Sequence, residues 1–405
     1  MTRRSVGVAA TLGALAVVAS GLVVPTATPT AHADVRQCTE GQTRYVTESP
    51  PALARLAAAQ SWTLSTGKGV VVAIVDSGVQ ASNLHFPAGS VLTGKSFVGG
   101  AATTDETGHG TALAGIIAAR DIGERSGVVG VAKDAQILPV KITGGEAGDP
   151  EQQRSANLAA GIAYAVSAKA DVINLSLSTT GNRADVRAAV AAAVRAGIIV
   201  VASGGNREQG ADVKDGLRYP AAYPGVIGVA ATTTTSDVVG ENSIHGPQVD
   251  LAAPGDNVIT TFRGWGDCVF SEEQQSSSYA TAYVSGAAAL LRQEFPAASS
   301  DEIGYRLTAT ASRGSRTARD DVSGWGVVQP YEAMTAELDN SVAGPVPPGG
   351  TPRPTPRPKA STVDLTPARD PRAPDRSAVQ WLLLGVGASV LGLAMARMLR
   401  RSTHA

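Results

Sequence analysis

A chain of 405 residues with a formal net charge of −1 has room for one large core or two ordinary ones, and it carries no long basic run that would predict a nucleic-acid partner. Two cysteines, no CxxC pair and no histidine cluster argue against a zinc site. Basic side chains mark the two ends instead.

At the first end, Arg3 and Arg4 precede the apolar stretch from Val6 to Val24, and Ala31-His32-Ala33 offers a small-x-small cleavage pattern. This predicts an export signal over 1–33, with Asp34 as the first mature residue. A retained anchor is the alternative; Pro25 and the Thr/Pro tract after it favour cleavage. In an oxidising compartment Cys38 and Cys268 most simply form one disulfide, two free thiols being the other possibility.

Short apolar runs then recur, each closed by Gly, Asp, Asn or Ser: GVVVAIVDSG, AQILPVKI, ADVINLSLS, GIIVVASGGN and GVIGVAAT. Runs rich in Val and Ile without alternation suit strands buried on both faces of a parallel sheet. Ala-rich helical stretches, Asn157 to Ala168 and Ala184 to Ala196, lie between them. The pattern predicts an α/β fold with helices on both faces, and such sheets place their sites beyond the carboxyl ends of their strands.

Four positions stand out on that reasoning. Asp76 follows the run Val70 to Val75, although Asp-Ser-Gly is also an ordinary turn. His109 lies between two glycines at the start of an apolar helical pattern; of five histidines only His85, His109 and His245 lie within the α/β region, and His109 has the best context. Ser276, Ser277 and Ser278 precede a helix whose buried face is Ala280, Tyr283, Val284, Ala287, Ala288 and Leu291, ending near Pro296. One serine suffices as a cap; a second role is a nucleophile at a helix N-terminus, where free N–H groups can stabilise an oxyanion. Asn206 closes another buried run, either as a turn residue or as an amide facing a developing negative charge.

After the α/β region, prolines are too dense for a core, which predicts a semi-rigid stalk over 339–376. Trp381 to Ala396 is free of charge, and Arg397, Arg400 and Arg401 follow. This predicts a transmembrane helix over 377–399 and a cytoplasmic tail over 400–405, the rest of the protein facing out. A buried core helix is the competing interpretation.

Seven motifs in order, GKGVVVAIVDSGV, GHGTALAGIIAA, GVVGVAKDAQILPVK, ADVINLSLS, IIVVASGGN, VDLAAPG and SYATAYVSGAAALL, resemble the subtilisin-like serine proteases, or subtilases, over about 62–338. The resemblance implies a subtilisin-like three-layer α/β fold with a mainly parallel sheet, and an endopeptidase acting on proteins or peptides with no metal or organic cofactor. It makes Asp76 the acid, His109 the base, Ser278 the nucleophile and Asn206 an oxyanion-hole donor; Tyr279-Ala280 sets the serine register. It also lays Ser176 and Leu177 along the substrate as an added strand. The AYVSG sequence, the cysteine-bearing segment 34–61, the stalk and the final apolar helix resemble more narrowly the mycosins, membrane-anchored subtilases associated with type VII secretion. That likeness implies that 34–61 wraps the catalytic domain and that Cys38 pins it to Cys268, and it admits a second role as a structural part of a secretion complex. Subtilases usually carry Gly-Thr before the nucleophile. Serine at 276 adds a Cβ, with an expected restriction of backbone angles.

Overall fold

The computed structural model describes residues 38–402 apart from 145–150, 208–212, 273, 316, 339–342 and 351–372. The expected export signal, most of the expected stalk and the end of the tail lie outside the described residues.

Seven strands, β1 (Val71–Asp76), β2 (Lys95–Ser96), β3 (Gln136–Lys141), β4 (Val172–Leu175), β5 (Ile199–Ser203), β6 (Val226–Thr232) and β7 (Leu251–Pro254), form one sheet in the order β2-β3-β1-β4-β5-β6-β7. Every neighbouring pair is parallel. Both faces are covered, which is why the strands show no alternation in sequence. Along β1, Val72 and Ile74 enter one core with Leu113 and Tyr283, while Ala73 and Val75 enter the other with Ile162 and Val190. The chain leaves β1 for one side of the sheet and returns to β4 on the other. The crevice beyond the carboxyl ends of β1 and β4 is therefore a topological switch point.

In chain order the helices are α1 (Pro51–Arg55), α2 (Ala58–Ser61), α3 (His109–Ala118), α4 (Glu151–Ser167), α5 (Ala184–Arg195), α6 (Ser277–Glu294), α7 (Ser300–Ala309), α8 (Pro330–Thr335) and α9 (Ala373–Ser402). The first core gathers α3, α6, α7 and α8, and the second gathers α4 and α5. Helix α6 differs from the single buried face expected of it: every residue from Tyr279 to Leu291 is buried. Alanine, serine, threonine and glycine on its remaining faces let neighbouring elements approach closely, and they leave no apolar periodicity to read.

Residues before β1 build part of the same unit. Leu53 and Leu56 lie in the first core. A hairpin of β8 (Val258–Thr261) and β9 (Asp267–Phe270), not anticipated from sequence, receives the segment ahead of them. Cys38 and Cys268 are disulfide-bonded, with Cα atoms 5.3 Å apart. The Arg44 N–H donates to the Trp265 carbonyl at 3.0 Å, and the Asp267 N–H donates to the Arg44 carbonyl at 2.8 Å. Taken by itself, α9 contains an apolar span, Ala378–Leu399, of 22 residues and mean hydropathy 1.9, long enough to cross a bilayer.

Candidate active site

Asp76 is the last residue of β1 and His109 the first of α3. The imidazole Nδ1 donates to Asp76 Oδ1 at 2.7 Å, and the Ser77 N–H donates to the same oxygen at 2.8 Å. The glycines around His109 are dictated by space and angle. Gly108, the cap of α3, has φ +83°, and a Cβ at Gly110 would fall inside contact distance of the Gly78 carbonyl. Asp76 is buried, whereas the His109 side chain is 34% exposed and so remains accessible. Partial burial of the ring depresses the imidazole pKa. The charge and hydrogen bond of Asp76, with the more remote charge of Asp105, more than offset it, so His109 titrates above its ordinary value.

Asp105 was not singled out from sequence, yet it organises this end of α3. Its Oδ1 accepts from Ser77 Oγ (2.9 Å), the Gly108 N–H (2.9 Å), the Thr107 N–H (3.2 Å) and Thr107 Oγ1 (3.1 Å). Its Oδ2 accepts from the N–H and Oγ1 of Thr111 at 2.8 and 2.7 Å. Ser77 Oγ in turn accepts from the Gly110 N–H at 3.0 Å, tying the residue after Asp76 to the residue after His109. The other two candidate histidines are engaged elsewhere. His85 Nε2 lies 2.9 Å from Asp267 Oδ1 in the interior, and His245 Nδ1 lies 3.7 Å from Asp215.

The three serines divide their work. Ser276 is the N-cap of α6, Ser277 its first residue and Ser278 its second. Ser276 has φ −123° and ψ 122°, extended backbone open to any residue, so the expected restriction from replacing glycine does not arise. Ser277 is fully buried and holds Asn206: its N–H and its hydroxyl both donate to Asn206 Oδ1 at 2.8 Å. Ser203 Oγ lies 2.6 Å from Ser277 Oγ, completing a hydroxyl relay that fixes the carboxamide. The Ser278 hydroxyl donates to the Ser176 carbonyl at 3.2 Å rather than to His109. The ring of the next residue, Tyr279, lies 6.0 Å from the imidazole, which brings the start of α6 beside His109.

Ser176 and Leu177 follow β4 directly. Ser176 Oγ donates to the Ser278 carbonyl at 2.8 Å and accepts from Asn174 Nδ2 at 3.0 Å. Among the described residues the backbone of Leu177 and Ser178 pairs with no other main chain, so this edge is open. Beside it lies a cavity of about 450 Å³, lined by Ile142, Leu158, Leu177, Val186 and Tyr219 among others. Among the described residues no group of three or more His, Cys, Asp or Glu side chains could hold a metal ion.

The site is thus a buried carboxylate holding an accessible imidazole, with a serine at a helix N-terminus and a braced carboxamide beside it. Comparison with known proteins places the chain among enzymes. It is 35% identical over 262 residues to the major intracellular serine protease of Bacillus subtilis, an alignment covering 63% of this chain and 78% of that protein. The structure resembles that of the mycosin MycP3 protease from the type VII (ESX-3) secretion system, with a TM-score of 0.65 and 28% identity over 73% of this chain and 92% of that one. It also resembles a chain of an intact ESX-5 inner membrane complex, with a TM-score of 0.66 and 25% identity over 87% of this chain and 93% of that one. The profile of the subtilase family matches residues 67–326, most of the chain. The protein accordingly belongs to the subtilase family of serine proteases.

Proposed function

We propose that Asp76, His109 and Ser278 form the acid, base and nucleophile of an endopeptidase that cleaves exported proteins. The observation that carries this reading is the 2.7 Å bond from His109 Nδ1 to Asp76, with the ring of Tyr279, the residue after Ser278, 6.0 Å from the same imidazole. A bond at Nδ1 leaves Nε2 as the nitrogen free to accept a proton. A substrate strand laid along the open edge at 176–178 donates to the Ser176 carbonyl and releases the Ser278 hydroxyl to His109. Ser278 Oγ attacks the peptide carbonyl while its proton passes to His109, and Asp76 stabilises the imidazolium. The oxyanion takes hydrogen bonds from the Ser278 N–H and Asn206 Nδ2. His109 then protonates the leaving amine, and water repeats the sequence on the acyl-enzyme. The cavity beside Leu177 receives an apolar side chain of the substrate.

Segments 34–61 and 62–338 form the extracytoplasmic part, 339–376 is a stalk, and 377–399 crosses the membrane, leaving 400–405 in the cytoplasm. The likeness to type VII system proteases and to a chain of an ESX-5 membrane complex supports a place beside a secretion machine. That second likeness also favours a second reading, in which the fold braces the complex and proteolysis is dispensable. The experiment is fluorophosphonate labelling of the purified extracytoplasmic part followed by peptide mapping, with Ser278→Ala as the partner variant. Adduct on Ser278, absent from the variant, is expected; an unlabelled Ser278 in folded protein removes the peptidase reading. Secretion that survives Ser278→Ala but fails on deletion of the protein selects the bracing role.

A further inference from the structure

The hydroxyl of Ser276 occupies an unusual position. As the N-cap of α6 it accepts from the N–H of the second helical residue, which is ordinary helix chemistry. Here that second residue is Ser278, so the captured amide, at 3.3 Å, is the backbone donor the reaction needs. The same oxygen also receives Asn206 Nδ2, at 3.5 Å. Asn206 cannot turn its amide elsewhere at no cost, because its Oδ1 is held by the N–H and hydroxyl of Ser277. One serine oxygen therefore meets both groups that would bind a substrate oxyanion.

We propose that Ser276 is a built-in competitor for the oxyanion hole: in the resting enzyme its Oγ sits where the substrate oxygen must go, and turnover requires that it be displaced. The proposal rests on the triad reading above and deepens it. A helix cap and an oxyanion hole make the same demand on one N–H group, and serine at this position satisfies the helix first. Glycine caps helices nearly as well as serine but has no side-chain oxygen, so it would leave the amide free. Both contacts to Ser276 are long for hydrogen bonds, so the competition is one of modest strength. Ser276 is a positioning residue: it forms no bond to substrate and acts through the two donors it occupies.

The test compares wild type with Ser276→Gly, Ser276→Ala and Ser276→Thr by peptide hydrolysis and by inhibition with a peptide aldehyde. On binding, Ser278 Oγ bonds to the aldehyde carbon, the Ser278 proton passes to His109, and the aldehyde oxygen becomes the oxyanion. Release of these two long contacts, together about as strong as one ordinary neutral hydrogen bond, predicts a kcat about twofold to tenfold higher in the glycine and alanine variants. KM should move less than kcat, and the aldehyde should bind tighter by a similar factor. Ser276→Thr keeps the hydroxyl and should show no gain. A merely structural serine would lower thermal stability on replacement without raising kcat or aldehyde affinity. If folded glycine and alanine variants turn over no faster than an active wild type, the competitor role is overturned while the peptidase reading stands. A wild type that neither takes up fluorophosphonate at Ser278 nor cleaves peptide overturns both.

Discussion

The two halves of the site are held in opposite ways. On the acid–base side, Asp76, Ser77, Asp105 and the first turn of α3 satisfy one another, and the Asp76–His109 bond is already formed. On the nucleophile side the groups are equally satisfied, but by one another: Ser278 Oγ by the Ser176 carbonyl, the Ser278 N–H and Asn206 Nδ2 by Ser276. With the proposed triad, one half is ready before substrate arrives and the other exchanges partners when it does. Preorganised dipoles accelerate a reaction because they need no rearrangement at the moment of charge development. As proposed, the nucleophile side of this protein holds back part of that advantage.

The sharpest way to break the comparison is on the organised side. Asp76→Asn removes the charge that stabilises the imidazolium, and where the carboxamide turns its NH2 toward His109 Nδ1 it favours the tautomer that cannot take the serine proton. A loss of about 10⁴-fold in kcat is expected. The pH profile gives an independent readout. The proposed general base, His109, must be neutral, so kcat/KM should rise with pH through its pKa, and that limb should lie above the ordinary histidine value because of Asp76 and Asp105. Removing the Asp76 charge moves the limb to lower pH. An unshifted limb in Asp76→Asn would detach His109 from this pairing.

On the exchanging side, Asn206→Ala deletes one donor and should lower kcat by about 10²–10³-fold with KM nearly constant. The Ser277 N–H and hydroxyl lose their acceptor in a buried setting, so thermal unfolding should shift downward while folding is retained. An unchanged rate in folded protein would remove Asn206 from the oxyanion site.

What sequence disclosed follows from the same physics. Asp76 could be placed because parallel strands buried on both faces announce themselves as unbroken apolar runs, and the residue closing such a run lies at the sheet's carboxyl edge, whereas Ser176 is reached only through the family resemblance. His109 could be placed because Gly108 and Gly110 are forced by a positive φ and a close approach. Asp105 could not: its partners are brought together by a turn, and an acidic residue in a Thr/Gly-rich loop has no pattern that distinguishes it. The β8–β9 hairpin escaped because four-residue strands joined through Phe262 to Gly266 carry neither alternation nor an Asn-Gly turn. The full burial of α6 escaped because the small side chains on its other faces add no second apolar stripe to the one that could be read.

Asp105 supplies the mildest test, because it touches no reacting atom. In Asp105→Asn one oxygen becomes an amide, and whichever way the side chain turns, a new donor faces donors: Thr111 on one side, or Ser77, Thr107 and Gly108 on the other. Burying such a mismatch costs about 1–3 kcal/mol of stability, to be read from denaturant unfolding. Catalysis should fall less than tenfold, since the Asp76–His109 bond itself is untouched. The ascending pH limb should move down, but by less than in Asp76→Asn, because the charge of Asp105 raises the imidazole pKa less than either contribution of Asp76. A shift larger than that of Asp76→Asn would reverse the ranking of the two carboxylates and show that the imidazole is held chiefly by the loop beneath it.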